Sequence, residues 1–139
     1  MATLAIELVR PRTRAAVWAG RILTGIASAF MTFDAVLHLT KPAVVDQAFA
    51  QLGFPEAQSV TIGVLALAAL IVHLTPRTAV LGAVLLTGYL GGAIAIQLRV
   101  GAVPFNVIFP AIVGALFWGG LVLRDRRVLA WLTSREAAV

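Results

Sequence analysis

Cysteine is absent from this chain, and charged residues are scarce. Without cysteine there are no disulfides, thiol nucleophiles, thiolate-bound zinc ions or Fe–S clusters. Charged residues make up 12% of the 139 residues, whereas hydrophobic residues make up 60% and the mean hydropathy is +0.97. Soluble domains are about 45–50% apolar and about 25% charged, so this chain has too little charge to hydrate a globular surface. The composition indicates an integral membrane protein with a single transmembrane domain, residues 1–139.

Sequence motifs of metal-dependent and nucleophilic enzymes are also missing. The chain contains no His-Glu-x-x-His, no Glu-x-x-His pair and no serine-nucleophile motif. Its two histidines, His38 and His73, fall near opposite ends of the predicted bundle, too far apart to ligate one haem or metal ion. The residues themselves therefore predict neither a metal site nor a bound cofactor.

Long apolar runs dominate what is present, and a helix of about 20 residues crosses a hydrocarbon core of about 30 Å. Four runs have suitable lengths, about 17–39, 58–74, 78–99 and 104–123. Between the first two, residues 43–52 place apolar side chains at helical spacing and predict a short amphipathic helix at the membrane interface. We expect an all-α, integral membrane four-helix antiparallel bundle, because the connection at 75–77 is too short for anything but a return beside the preceding span.

The basic residues flank the spans instead of lining one helix face, which argues against nucleic-acid binding. Nine of the eleven fall on one side of the predicted membrane, including those in the basic tails 1–16 and 124–139. Only Lys41 and Arg99 fall on the other side. This bias predicts a multi-pass protein of the inner (plasma) membrane with both termini in the cytoplasm.

Asp34 and His38 stand out because they lie inside the first span, four residues apart and therefore on one helical face. A carboxylate at mid-membrane costs about 2.5–3.5 kcal/mol on insertion scales and usually serves a function. Asp34 could form part of a site, or it could be a structural hydrogen-bonding residue between helices. Both alternatives remain open at this point.

The predicted topology brings polar groups of all four spans to the outer end of the bundle, beside Asp34 and His38. We expect a partly hydrated pocket there, roofed by residues 43–52, with Arg99 as the counter-ion of Asp34 or Glu56. The residues predicted to contact a ligand are Asp34, His38, Glu56, Tyr89, Gln97, Arg99 and Asn106. Gly88 and Gly92 form a small-xxx-small pair that would allow close helix contact within one bundle or between two copies in a homo-oligomer.

Several stretches resemble the DoxX-like family of small bacterial four-span membrane proteins. The resemblance lies in WAGRILTGIASAFMTFDAVLHL (18–39), QLGFPE (51–56), PRTAVLGAVLLTGYLGGAIAIQLRVG (76–101) and FPAIVGALFWGGLVLRDRR (109–127). It implies the four-span fold, and Asp34 matches the acidic position of the family's first span. Relatives named for a subunit of a thiosulfate:quinone oxidoreductase imply a membrane-bound redox partner and a quinone ligand.

Three functions follow as hypotheses. In the first, a membrane protein surrounded by lipid binds a small lipophilic ligand, quinone-like or lipid-like, or a redox partner subunit, in the outer pocket. In the second, the protein is an enzyme that uses Asp34 as general acid and His38 as relay to isomerise, cyclise or hydrolyse a lipophilic substrate. In the third, it is a structural anchor without a ligand.

Overall fold

Within residues 13–125 the chain forms five helices. A computed structural model describes residues 13–125 and residue 128, and it contains no strand within them. In chain order the helices are α1 (Arg14–Thr40), α2 (Ala43–Leu52), α3 (Gln58–Leu74), α4 (Ala79–Arg99) and α5 (Pro104–Arg124). The all-α prediction is confirmed, and each predicted span and the short amphipathic helix correspond to a helix that begins and ends within three residues of the expected bounds.

Three of these helices, α1, α4 and α5, are long and apolar enough to cross a membrane. Helix α3 is equally apolar in character but has only 17 residues. Many large apolar side chains are exposed at the surface, including those of Trp18, Ile71 and Phe105. Such a surface is expected for a protein that faces lipid. The predicted basic tails lie mostly outside the described residues.

Local signals in the sequence explain where the helices begin and end. The Thr13 side chain accepts a hydrogen bond from the Ala16 N–H at 3.3 Å and caps α1. Lys41 ends α1 in the left-handed conformation (φ 48°), and Pro42 prevents the helix from continuing. Gly53 ends α2 in the same conformation (φ 72°), and Pro104 occupies the first turn of α5. The short helix α2 is therefore bounded on both sides by residues with positive φ.

Each of the four long helices packs against two of the others, so that the four form a closed ring. Helix α1 packs against α3 and α5, and α4 packs against the same two helices. All four contribute side chains to one buried core, which contains Ala27, Met31, Ala35, Ala66, Ala69, Leu70, Leu86, Leu90, Val113 and Phe117. Small residues are frequent in this core, so the helix backbones can lie close together.

Some glycines stand where two backbones meet. A Cβ on Gly82 would overlap the backbone of His73, and a Cβ on Gly20 would come within 2.7 Å of the Gly120 carbonyl oxygen. Gly88 and Gly92 behave differently, because a Cβ on either would meet no heavy atom within 4 Å. The predicted Gly88/Gly92 contact is therefore wrong for packing within this chain.

Candidate functional site

A large cavity lies at the end of the molecule where α2 covers the long helices. Its volume is about 870 Å³, and every helix contributes to its wall. The wall is mostly apolar, with aromatic rings from Phe30, Phe49, Phe54, Tyr89, Phe105 and Phe109. The cavity reaches the molecular surface, because the lining residues Val44 and Phe105 are each 66% exposed. A cavity of this size holds a drug-sized organic molecule.

Asp34 is the acidic residue of the cavity wall, and its two oxygens have different surroundings. The Tyr89 hydroxyl of α4 donates a hydrogen bond to Asp34 Oδ2 at 2.9 Å. The other oxygen, Oδ1, lies 3.8 Å from His38 Nε2, which is beyond hydrogen-bond distance. Both side chains are half-buried, with 29% of Asp34 and 18% of His38 exposed. One carboxylate oxygen is thus held by the protein, and the other lacks a hydrogen-bond donor among the described residues.

The orientation of His38 is set by Ser59 at the start of α3. The Ser59 hydroxyl donates to the His38 carbonyl oxygen at 2.9 Å, so its single proton is used there. His38 Nδ1 lies 3.3 Å from the same hydroxyl oxygen and must therefore be the donor of that contact. It follows that neutral His38 carries its proton on Nδ1 and turns the unprotonated Nε2 toward Asp34.

Helix α2 forms the roof of the cavity. Val44, Val45, Ala48, Phe49 and Leu52 all line it from this helix. The Phe49 ring packs edge-on against the His38 imidazole, with 5.5 Å between ring centroids. The roof is therefore in direct contact with one of the polar side chains that it covers.

The structure places five of the seven predicted site residues in the cavity wall: Asp34, His38, Tyr89, Gln97 and Asn106. Glu56 and Arg99 do not line it. The Glu56 side chain is 67% exposed and pairs with Lys41 at 4.0 Å.

The expected ion pair of Arg99 with Asp34 or Glu56 is wrong. The Arg99 guanidinium instead donates to the Leu52 carbonyl oxygen at 2.7 Å, at the end of the roof helix. Helix carbonyls in the last turn lack intrahelical donors, and a basic side chain supplies one here. Arg99 thus binds the roof instead of the acid beneath it.

Sequence reasoning missed Ser59 and the role of the glycines. Ser59 shares a buried face of α3 with Gly63, Ala66, Leu70 and His73, and this helical spacing of small residues would have indicated that it faces the bundle. Gly88 and Gly92 line the cavity and leave room in it, since no side chain occupies the space beside them. The local sequence pattern does not distinguish a glycine that leaves space in a cavity from a glycine at which two helices pack closely.

No group of three or more His, Asp or Glu side chains within residues 13–125 could hold a metal ion. The cavity polar groups are amides, hydroxyls, one carboxylate and one imidazole. Such groups can orient an organic molecule through hydrogen bonds, and the Asp34–His38 pair can accept or release a proton.

The comparisons with known proteins bear on the family. No curated protein and no solved structure matches the chain. A family model described as the DoxX-like family matches residues 22–120, which include Asp34, His38 and every other residue of the cavity wall. Because this match extends over well more than half of the sequence, the chain belongs to the DoxX-like family.

Proposed function

We propose that this protein binds a small hydrophobic molecule, quinone-like or lipid-like, in the cavity beneath α2. The observation that carries the proposal is the cavity itself, about 870 Å³ of mostly apolar space with a few polar groups in its wall. Small-molecule sites have this character, because apolar walls supply affinity and a few hydrogen-bonding groups supply orientation. The apolar residues Val44 and Phe105 at its opening would admit a ligand directly from the hydrocarbon phase.

We also propose that α1, α3, α4 and α5 cross the bacterial inner membrane as an antiparallel bundle, with both termini in the cytoplasm. The closed packing of the four helices and the bias of basic residues support this arrangement. In this orientation the cavity opens in the outer half of the membrane, and α2 lies at the outer surface.

The natural absence of cysteine allows this orientation to be tested with single cysteines that leave the charge pattern unchanged. Gln47→Cys in α2 and Thr75→Cys in the turn after α3 are both at exposed positions. In spheroplasts, a membrane-impermeant maleimide is expected to label Gln47→Cys but to label Thr75→Cys only after permeabilisation. The reverse pattern, or labelling of both positions from one side, would contradict the proposed topology.

Filling the cavity is expected to remove the bound molecule. Gly92→Phe projects a ring into open cavity space, whereas the adjacent Gly91 does not line the cavity and has equally free surroundings. Native mass spectrometry of protein extracted into lipid nanodiscs should show a small-molecule adduct on the wild type and on Gly91→Phe. Gly92→Phe should lose about nine-tenths of it, because a ring occupies the space the ligand needs. Equal occupancy in all three proteins would contradict binding in this cavity.

Acid/base catalysis is a second candidate function, favoured by four neighbouring polar side chains, those of Tyr89, Asp34, His38 and Ser59. A general acid or base must lie within hydrogen-bond reach of its substrate, and Asp34 and His38 both line the cavity. This candidate requires that the bound molecule be chemically changed, which separates it from simple binding.

A further inference from the structure

We infer that the cavity is selective for lipophilic cations, such as protonated amines with an apolar body, and that Asp34 is their counter-ion. This inference rests on the proposed binding function and adds the charge of the ligand to it. It is carried by four observations about the cavity wall: its single acid, the free oxygen of that acid, the positions of the nearby basic residues, and the aromatic rings.

The only acidic side chain among the described residues of the wall is Asp34, and no lysine or arginine lines it. The two basic residues that contact the roof helix, Lys41 and Arg99, already have partners outside the cavity wall or on the backbone. Lys41 lies 3.9 Å from Asp46 and 4.0 Å from Glu56, and Arg99 donates to the Leu52 carbonyl. An anionic head group, a phosphate or a carboxylate, would therefore meet a like charge in this cavity and no basic side chain.

One carboxylate oxygen of Asp34 can accept a further hydrogen bond. Tyr89 holds Oδ2 and so fixes the orientation of the carboxylate, while Oδ1 accepts no hydrogen bond from the described residues. An ammonium N–H that reaches Oδ1 would form a charge-assisted hydrogen bond, which is about twice as strong as a neutral one. Neutral His38 turns a lone pair to the same side, so an ammonium group would satisfy both acceptors at once.

The remaining wall suits the body of such a ligand. Six aromatic rings line the cavity, and a cation within about 6 Å of a ring face gains further electrostatic attraction. The Gln58, Gln97 and Asn106 side chains also line the cavity, and their amide oxygens can accept hydrogen bonds from a ligand. A neutral alcohol of the same shape would keep the apolar contacts and one hydrogen bond but would lose the charge interaction.

Three probes with one phenylbutyl body isolate the charge: 4-phenylbutylamine, 4-phenylbutanol and 4-phenylbutanesulfonate. Binding is measured by equilibrium dialysis against the protein in phosphatidylcholine nanodiscs at neutral pH, with empty nanodiscs subtracted. We expect the amine to bind about tenfold more tightly than the alcohol. The sulfonate should bind no better than to empty nanodiscs.

Two variants assign the effect to this site. Asp34→Asn should bring the affinity for the amine down to that for the alcohol, and Asp34→Glu should keep most of the preference. Should Asp34→Asn fail to fold, Asn106→Lys serves instead, because it places a positive charge at an exposed position of the wall and should abolish amine binding.

The outcomes separate the two proposals. Equal binding of amine and alcohol by the wild type, lost in Gly92→Phe, would overturn the cation preference and leave the cavity as a lipophilic site. An amine preference that persists in both Asp34→Asn and Asn106→Lys would overturn the role of Asp34. Binding of none of the probes above the empty nanodiscs would count against the proposed function as well.

Discussion

Gly82→Ala is expected to destabilise the protein by about 3 kcal/mol or more, the upper end for overpacking substitutions. A methyl group at this position would overlap the Cα and N atoms of His73, which belong to the backbone of α3. Backbone atoms inside a helix cannot rotate away as a side chain can, so α3 and α4 would have to separate. His73 is 1% exposed, and its Nδ1 donates to the Ala79 carbonyl at 2.9 Å, so separation would also break a buried hydrogen bond.

Gly91→Ala is the matched control for this experiment. It makes the same chemical change in the same helix, but a Cβ on Gly91 meets no heavy atom within 4 Å. Alanine favours a helix over glycine by up to about 1 kcal/mol, so this variant should unfold at the wild-type temperature or slightly above it. Thermal unfolding in detergent, followed by circular dichroism, compares the two. A Gly82→Ala protein as stable as Gly91→Ala would show that α3 and α4 do not depend on this close approach.

The helices could be predicted from the sequence because the signals that define them are local. Apolar runs of membrane-spanning length, Lys41-Pro42 after the first run and Gly53 after the short amphipathic segment all act over a few residues. Helix α3 accordingly begins at Gln58 and α5 at Pro104, as the apolar runs predict. These bounds do not depend on how the helices pack against one another.

The site could be predicted only in part, because topology gives the level of a side chain along the bundle but not its direction. Asp34, His38, Gln97 and Asn106 share the outer level of the predicted bundle, and all four line the cavity. Arg99 shares this level, but its expected pairing with Asp34 or Glu56 rests on charge alone. It turns to the carbonyl of Leu52, because the end of the roof helix offers an acceptor closer to it. The pairing of Tyr89 with Asp34 joins residues 55 positions apart, and no local pattern reports such a contact.

The contacts of the glycines also could not be predicted from their spacing in the sequence. The spacing of Gly88 and Gly92 is the usual pattern of close helix contact, but here it opens space for the cavity. The closest contacts involve Gly20, Gly82 and Gly120, none of which has a second glycine four residues away in its helix. The spacing of glycines identifies a helix face without side chains. Whether another helix packs against that face depends on the tertiary structure.

Gly120→Ala should therefore lower the free energy of unfolding by about 2 kcal/mol or more. The same substitution should also affect the cavity, because it presses on the helix that carries Asp34. A Cβ on Gly120 would contact the Thr24 hydroxyl and would come within 2.9 Å of the Gly20 carbonyl oxygen and 3.1 Å of the Thr24 nitrogen. The last two atoms are backbone of α1, so α1 would have to move away from α5. Because α1 carries Asp34 and His38, and α4 carries the Tyr89 hydroxyl that binds Asp34, this movement should also weaken the adduct seen by native mass spectrometry.

Gly119→Ala separates this effect from a general loss of helix stability. Its Cβ would lie 3.6 Å from the Leu23 side chain, an ordinary van der Waals distance, so the neighbouring position should accept alanine with no loss of stability. The two variants differ by one residue in α5, and only one of them presses on the backbone of α1. If Gly120→Ala unfolds at the same temperature as Gly119→Ala and keeps the adduct, the close α1–α5 contact is not what holds Asp34 in the cavity wall. If both stability and adduct fall in Gly120→Ala alone, helix packing and ligand binding depend on the same contact.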